Sequence, residues 1–124
     1  MPRILVSDDD PVQLNLRKSM LESAGYKVAV ALDPPGTLRQ MKRQMPDLLI
    51  MDLRFPNGSG EPDPREGMAL IRSIREQGCV APVVVLSGWP EQIYGQPEEG
   101  MVSRVMLKPV PSAELLEAIA DLVG

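Results

Sequence analysis

The sequence contains no histidine. That removes Ser-His-Asp triads, histidine-ligated zinc and histidine phosphoacceptors together. A single cysteine, Cys79, allows no internal disulfide and points to a reducing compartment. Aromatic residues are scarce at 3%, so Leu, Ile, Val and the eight Met must fill any core. Long apolar runs are missing as well. The longest, Val80 to Leu86, is interrupted by Pro82 and falls far short of the about 20 residues that span a bilayer. The amino-terminal stretch Ile4-Leu-Val6 is too short for a signal-peptide core. A cytoplasmic protein with no membrane insertion is expected. Positive charge is the minority, with 13 Lys and Arg against 17 Asp and Glu, a net charge of −4. The pI of about 4.8 argues against direct nucleic-acid binding, which needs a basic surface. A bound cation or a basic partner suits the sign better.

What is present is the composition of a folded domain. The 124 residues fit one domain, 1–124, with 44% hydrophobic and 24% charged residues. Five short apolar runs recur: Ile4–Val6, Val28–Val30, Leu48–Met51, Val83–Leu86 and Val105–Leu107. The third and fourth are apolar at every position, so both faces of those strands must be covered. Helical patterns lie between the runs. Asp10-Pro11 reads as an N-cap with proline at the first helical position, followed by a stripe of Leu16, Met20 and Ala24 up to Gly25. Leu38, Met41 and Met45 form a second stripe, Gly67 to Ile74 a third helix and Pro111 to Ile119 the last. Strands alternating with helices predict an α/β doubly wound domain: a five-stranded parallel sheet, order 2-1-3-4-5, with helices on both faces.

Two segments break the pattern. Trp89 to Gly100 holds two Pro and two Gly, which predicts a short or irregular fourth helix. Leu53 to Glu66 contains Pro56, Pro62, Pro64, Gly58 and Gly60 and reads as a long loop.

In a doubly wound sheet, ligands bind beyond the carboxyl ends of the strands. The residues there are Asp8, Asp9 and Asp10 after the first run, Asp52 after the third, Ser87 after the fourth and Lys108 after the fifth. The first and third strands are neighbours, so Asp8, Asp9 and Asp52 converge. Three carboxylates in one crevice require a cation or protons. With only oxygen donors at hand, Mg²⁺ is the natural ion. A hydroxyl from Ser87 and an ammonium from Lys108 complete a cradle for a tetrahedral anion. That set is suited to phosphoryl transfer onto an aspartate. Taken singly, each residue has a plainer reading: a turn and helix-cap cluster for Asp8–Asp10, a solvated strand end for Asp52, a local cap for Ser87 and a surface charge for Lys108.

The segments Ile4-Leu-Val-Ser-Asp-Asp-Asp-Pro11, Pro46-Asp-Leu-Leu-Ile-Met-Asp52, Leu86-Ser-Gly88 and Leu107-Lys-Pro109 together resemble the four signature segments of response-regulator receiver domains. The resemblance covers essentially the whole chain. It implies that Asp52 is the phosphoacceptor and that Asp9 and Asp52 ligate Mg²⁺ directly. Asp8 would hold the ion mainly through water, and Arg54 would contribute its backbone carbonyl. Ser87 would hydrogen-bond the phosphoryl group, Lys108 would neutralise it, and Lys108–Pro109 would be a cis peptide. A sensor histidine kinase or phosphotransfer protein would be the phosphoryl donor, and the chain would be a signalling switch acting only on itself, not an enzyme with an external substrate. Arg54 and Trp89 stand at the positions that flank the phosphoryl group in this family. For Trp89, a packing anchor and a shield against water are both open; the Arg54 side chain reads as solvated.

The chain also departs from the family. Val105 stands where an aromatic usually reports phosphorylation, and the fourth helix is interrupted. Gly67 matches the glycine that opens the third helix, which leaves Gly60 to Glu66 as an insertion, either a surface loop or a flap beside the site. These departures support an alternative, a receiver-like binding module that works without phosphorylation. The complete acidic set opposes it. A haloacid-dehalogenase-type phosphatase would want Asp at position 54, which is Arg, and three Asp after the first strand would repel a flavin phosphate.

Overall fold

A computed structural model of the protein describes residues 1–123. Its elements in order are β1 (Arg3–Ser7), α1 (Pro11–Ser23), β2 (Lys27–Ala31), α2 (Pro34–Arg43), β3 (Leu48–Asp52), β4 (Phe55–Pro56), β5 (Pro62–Asp63), α3 (Pro64–Glu76) and β6 (Val83–Ser87). Two 3-10 turns, Pro90–Gln92 and Pro97–Met101, lead to β7 (Arg104–Leu107) and α4 (Ser112–Val123). The main sheet runs β2-β1-β3-β6-β7, every pair parallel. Counting only its own five strands, this is the expected 2-1-3-4-5 order.

Alternation along the strands sorts the core into two halves. Leu5, Leu49, Met51, Val83 and Val85 join Met41 of α2 and Leu70, Ile71 and Ile74 of α3. Ile4, Val6, Leu48, Ile50, Val84 and Leu86 join Leu14 and Leu21 of α1 and Leu115 and Ile119 of α4. The central strands thus bury both faces, as their unbroken apolar runs require.

Helix starts follow the capping signals. Asp10, Asp33 and Asp63 each accept backbone N–H bonds ahead of a proline in the first turn of α1, α2 and α3. The helical faces are less simple. In α1 the buried residues are Leu14 and Leu21, while Leu16 is 59% exposed and Ala24 lies on the surface. Of the expected stripe of Leu16, Met20 and Ala24, only Met20 packs against the core, partly buried. A four-residue spacing drifts around a helix of 3.6 residues per turn, whereas seven residues return almost to the same side. Met45 is likewise exposed, beyond the end of α2 at Arg43.

The long loop expected over Leu53 to Glu66 is mostly ordered. β4 and β5 pair as a small antiparallel hairpin, and α3 starts at Pro64, three residues before Gly67. The Asn57 carboxamide oxygen accepts the N–H groups of Ser59 and Glu61, and its nitrogen donates to Asp63. Phe55 is fully buried beneath the hairpin. Gly67 is required by contact: a Cβ there would lie 2.0 Å from the carbonyl oxygen of Leu53. Between β6 and β7 no α-helix forms among the described residues, only the two 3-10 turns, as the Pro and Gly content predicts. Arg75 of α3 holds this segment by donating to the carbonyl of Met101, while also donating to the carbonyls of Cys79 and Ala81 in the loop before β6, and Arg72 pairs with the buried Glu98.

Candidate functional site

Parallel strands in register bring their carboxyl ends to one edge. Ser7 pairs with Met51, Asp52 with Leu86 and Ser87 with Leu107, so the residues that terminate β1, β3, β6 and β7 meet there. Asp8, Asp9 and Asp52 present carboxylate oxygens within 4.8 Å of one another. Asp8 is buried, Asp52 half-buried and Asp9 exposed. Burial, with the Asp8 carboxylate as the next cause, raises the Asp9 pKa above its ordinary value.

Lys108 closes the crevice. Its Nζ lies 3.0 Å from Asp52 Oδ2 and 3.7 Å from Asp8 Oδ2. Its own N–H donates to the carbonyl of Ser87, and the Lys108–Pro109 peptide is cis. Ser87 is fully buried, and its Oγ accepts the N–H of Trp89 at 3.0 Å. The hydroxyl proton of Ser87 is therefore free to be donated elsewhere. All three carboxylates offer hard oxygen donors, and no soft ligand approaches them among the described residues. The residues present thus fit a hard divalent cation such as Mg²⁺.

Arg54 departs from its expected role as a solvated side chain. Its backbone N–H turns back to Asp52 Oδ1 at 3.3 Å. Its guanidinium lies over the Trp89 ring, 4.1 Å from the centroid, and donates to the carbonyl of Pro62 in the hairpin at 3.4 Å. The Arg54 Nε is buried with no hydrogen-bond partner. The position of the guanidinium over the indole is a cation–π contact. Trp89 is still 51% exposed. Its ring carries the Arg54 guanidinium, and through Arg54 the positions two past Asp52 and Ser87 are linked to the hairpin.

One residue at the site has no counterpart in the sequence reading. Arg17 of α1 donates to Asp8 Oδ2 at 2.6 Å, with both side chains largely buried. The available signal was its position between Leu14 and Leu21, three and four residues from each, on the face that α1 turns inward. Asp10 stays outside the cluster as the cap of α1, as expected. The other oxygen of Asp8 accepts the Asp10 N–H at 3.0 Å.

The comparisons with known proteins agree with this geometry. The model of the response regulator receiver domain matches residues 4–120. The chain is 33% identical over 126 residues to the sensor histidine kinase TmoS of Ectopseudomonas mendocina, spanning 99% of this chain and 12% of that protein. It is 33% identical over 120 residues to the transcriptional regulatory protein GlrR of Escherichia coli (strain K12), spanning 95% of this chain and 25% of the other. The solved structure of response regulator protein TrrA from Thermotoga maritima, in complex with Mg²⁺-BeF, shares the fold. Its TM-score is 0.83 at 24% identity, over 98% of this chain and 99% of that one. The chain spans a quarter or less of the two curated relatives.

Proposed function

Because the chain belongs to the response regulator receiver family, we propose that Asp52 accepts a phosphoryl group from a histidine kinase or a phosphotransfer protein, making residues 1–124 one switch unit of a phosphorelay. The observation that carries this reading is the Lys108 ammonium held between Asp52 and Asp8 at the edge where three carboxylates meet. A phosphorylation-independent binding module has no use for that arrangement.

An Asp52 carboxylate oxygen attacks the phosphorus of a phosphohistidine. The P–N bond breaks, the new P–O bond makes an acyl phosphate, and the imidazole of the donor leaves with the electron pair. Lys108, already 3.0 Å from Asp52, passes its hydrogen bond to a phosphoryl oxygen as charge accumulates there. Ser87 donates its free hydroxyl proton to another. A bound Mg²⁺ would supply charge neutralisation between the acids and the phosphoryl oxygens, held by Asp9, Asp52 and the Arg54 carbonyl, with Asp8 reaching it through water. The Asp8 oxygens are already engaged by Arg17, Lys108 and the Asp10 N–H, which supports an indirect contact. The TrrA structure holds the same kind of ion with a phosphoryl mimic. Hydrolysis of its own acyl phosphate is the only turnover, with no external substrate.

A groove of about 640 Å³ opens beside Lys108, lined by Leu16, Met20, Val110 and Leu115 together with the polar Gln13 and Arg17. No helix among the described residues is long and apolar enough to cross a membrane. A net charge of −4 favours protein contacts over direct nucleic-acid binding.

The test uses the single tryptophan. Trp89 emission is followed through a Mg²⁺ titration and then through beryllofluoride, in the wild type and in Asp52→Asn. Both steps saturate in the wild type, and the beryllofluoride step is lost in Asp52→Asn. A silent wild type that also gains no mass with acetyl phosphate refutes the phosphoacceptor reading.

A further inference from the structure

Helix α1 turns Leu14 and Leu21 into the core, and between them, on the same face, stands an arginine. The Arg17 side chain is 13% exposed and that of its partner Asp8 is 1% exposed. An arginine cannot shed its charge by losing a proton in a protein, so burying it demands a partner. A buried carboxylate makes the same demand. The two satisfy each other at 2.6 Å. Packing of the long aliphatic stem explains why α1 tolerates the residue there. It does not explain why the guanidinium is aimed at the acidic crevice.

We propose that Arg17 is a built-in counter-charge of the acidic site that lowers its affinity for divalent cations. Three carboxylates converge there, and among the described residues Lys108 and Arg17 are the two cations in contact with them. One net negative charge then remains to attract a dication; without Arg17 there would be two. Arg17 also holds the Asp8 carboxylate in a fixed position through their 2.6 Å contact. The inference rests on the reading of the site as a cation-assisted phosphoacceptor and deepens it by naming the residue that sets the cation's affinity.

The experiment is a Mg²⁺ titration of the intact chain, followed by Trp89 emission, with thermal melts in zero and saturating Mg²⁺. Arg17→Leu restores an apolar stripe with Leu14 and Leu21, and Arg17→Lys keeps the charge. At a separation of about 6 Å, and even with the full dielectric screening of water, removing a unit positive charge strengthens dication binding by roughly tenfold. The expected result is an Arg17→Leu dissociation constant lower by about that factor, with a larger Mg²⁺-induced rise in melting temperature, and Arg17→Lys close to the wild type. Saturable wild-type binding with an unchanged or weakened constant in a folded Arg17→Leu overturns the counter-charge alone. So does an Arg17→Lys that behaves like Arg17→Leu. Failure of wild type and both variants to bind Mg²⁺ overturns the cation site and this inference together. Binding by Arg17→Leu alone supports the inference in its strongest form.

Discussion

The chain leaves β3 and β6 through two connections of similar composition, each rich in proline and glycine, yet they are ordered in opposite ways. The β3–α3 connection organises itself. Asn57 gathers the turn, Asp63 ends the hairpin and caps α3, and Phe55 anchors it to the core. The β6–β7 connection has no side-chain cap on either 3-10 turn, and is held from outside by Arg72 and Arg75 of α3. Helix α3 serves both, capped by one and clasping the other. Low helix propensity alone therefore does not say whether a segment will be ordered; the supply of hydrogen-bond partners does.

Three changes separate the two modes. The largest effect is expected from Gly67→Ala. Glycine to alanine inside a helix normally stabilises by nearly 1 kcal/mol. The new methyl would meet the Leu53 carbonyl at 2.0 Å, so the backbone of the connection must move. A loss of about 3–5 kcal/mol in urea denaturation is expected, of the size that core overpacking at its worst produces. A neutral result would show that hairpin and α3 are not locked together.

Arg75→Met comes next. It removes four hydrogen bonds to carbonyls of Cys79, Ala81 and Met101 and leaves those acceptors without the guanidinium. A loss of about 2–4 kcal/mol follows. Hydrogen exchange should speed up between β6 and β7 while the hairpin stays protected. Equal loosening of both connections would contradict the contrast.

The smallest effect belongs to Asp63→Asn. Hydrogen bonds from Arg65 hold the Asp63 carboxyl well below the usual carboxylate range. The folded state then binds this proton less readily than the unfolded chain. The stability it contributes is complete above the ordinary value of 3.8 and is lost as pH falls below it. Because Arg65 is 82% exposed, the ion pair itself adds little. The asparagine still caps α3, so the prediction is a shallower fall of stability below about pH 4 with little change at pH 7. An unchanged acid limb would mean that the hairpin does not rely on the charged form.

Much of this was legible in the chain. Apolar runs with both faces covered announce central parallel strands, and each run ends on the residue that reaches the site. The Asp-Pro pairs at Asp10, Asp33 and Asp63 announce three helix starts; the third contradicts a loop reading that ran to Glu66. The stripe of α1 was followed at four-residue spacing, which found Met20 but missed Leu14 and Leu21, whose seven-residue spacing governs burial. The Arg54 contacts escaped because their partners, Trp89 and Pro62, lie elsewhere in the chain.

From sequence alone follow the alternation of strands and helices, the order of the sheet and the meeting of Asp8, Asp9, Asp52, Ser87 and Lys108. Strand period and the handedness of parallel crossovers are local rules, and they carry every strand's carboxyl end to one edge. Only the tertiary structure decided that Arg17 would pair with Asp8, that Arg54 would lie on Trp89 and that the hairpin would brace them. Those contacts depend on how a helix is rotated about its axis and where an irregular connection comes to rest. Packing between residues distant in the chain sets both.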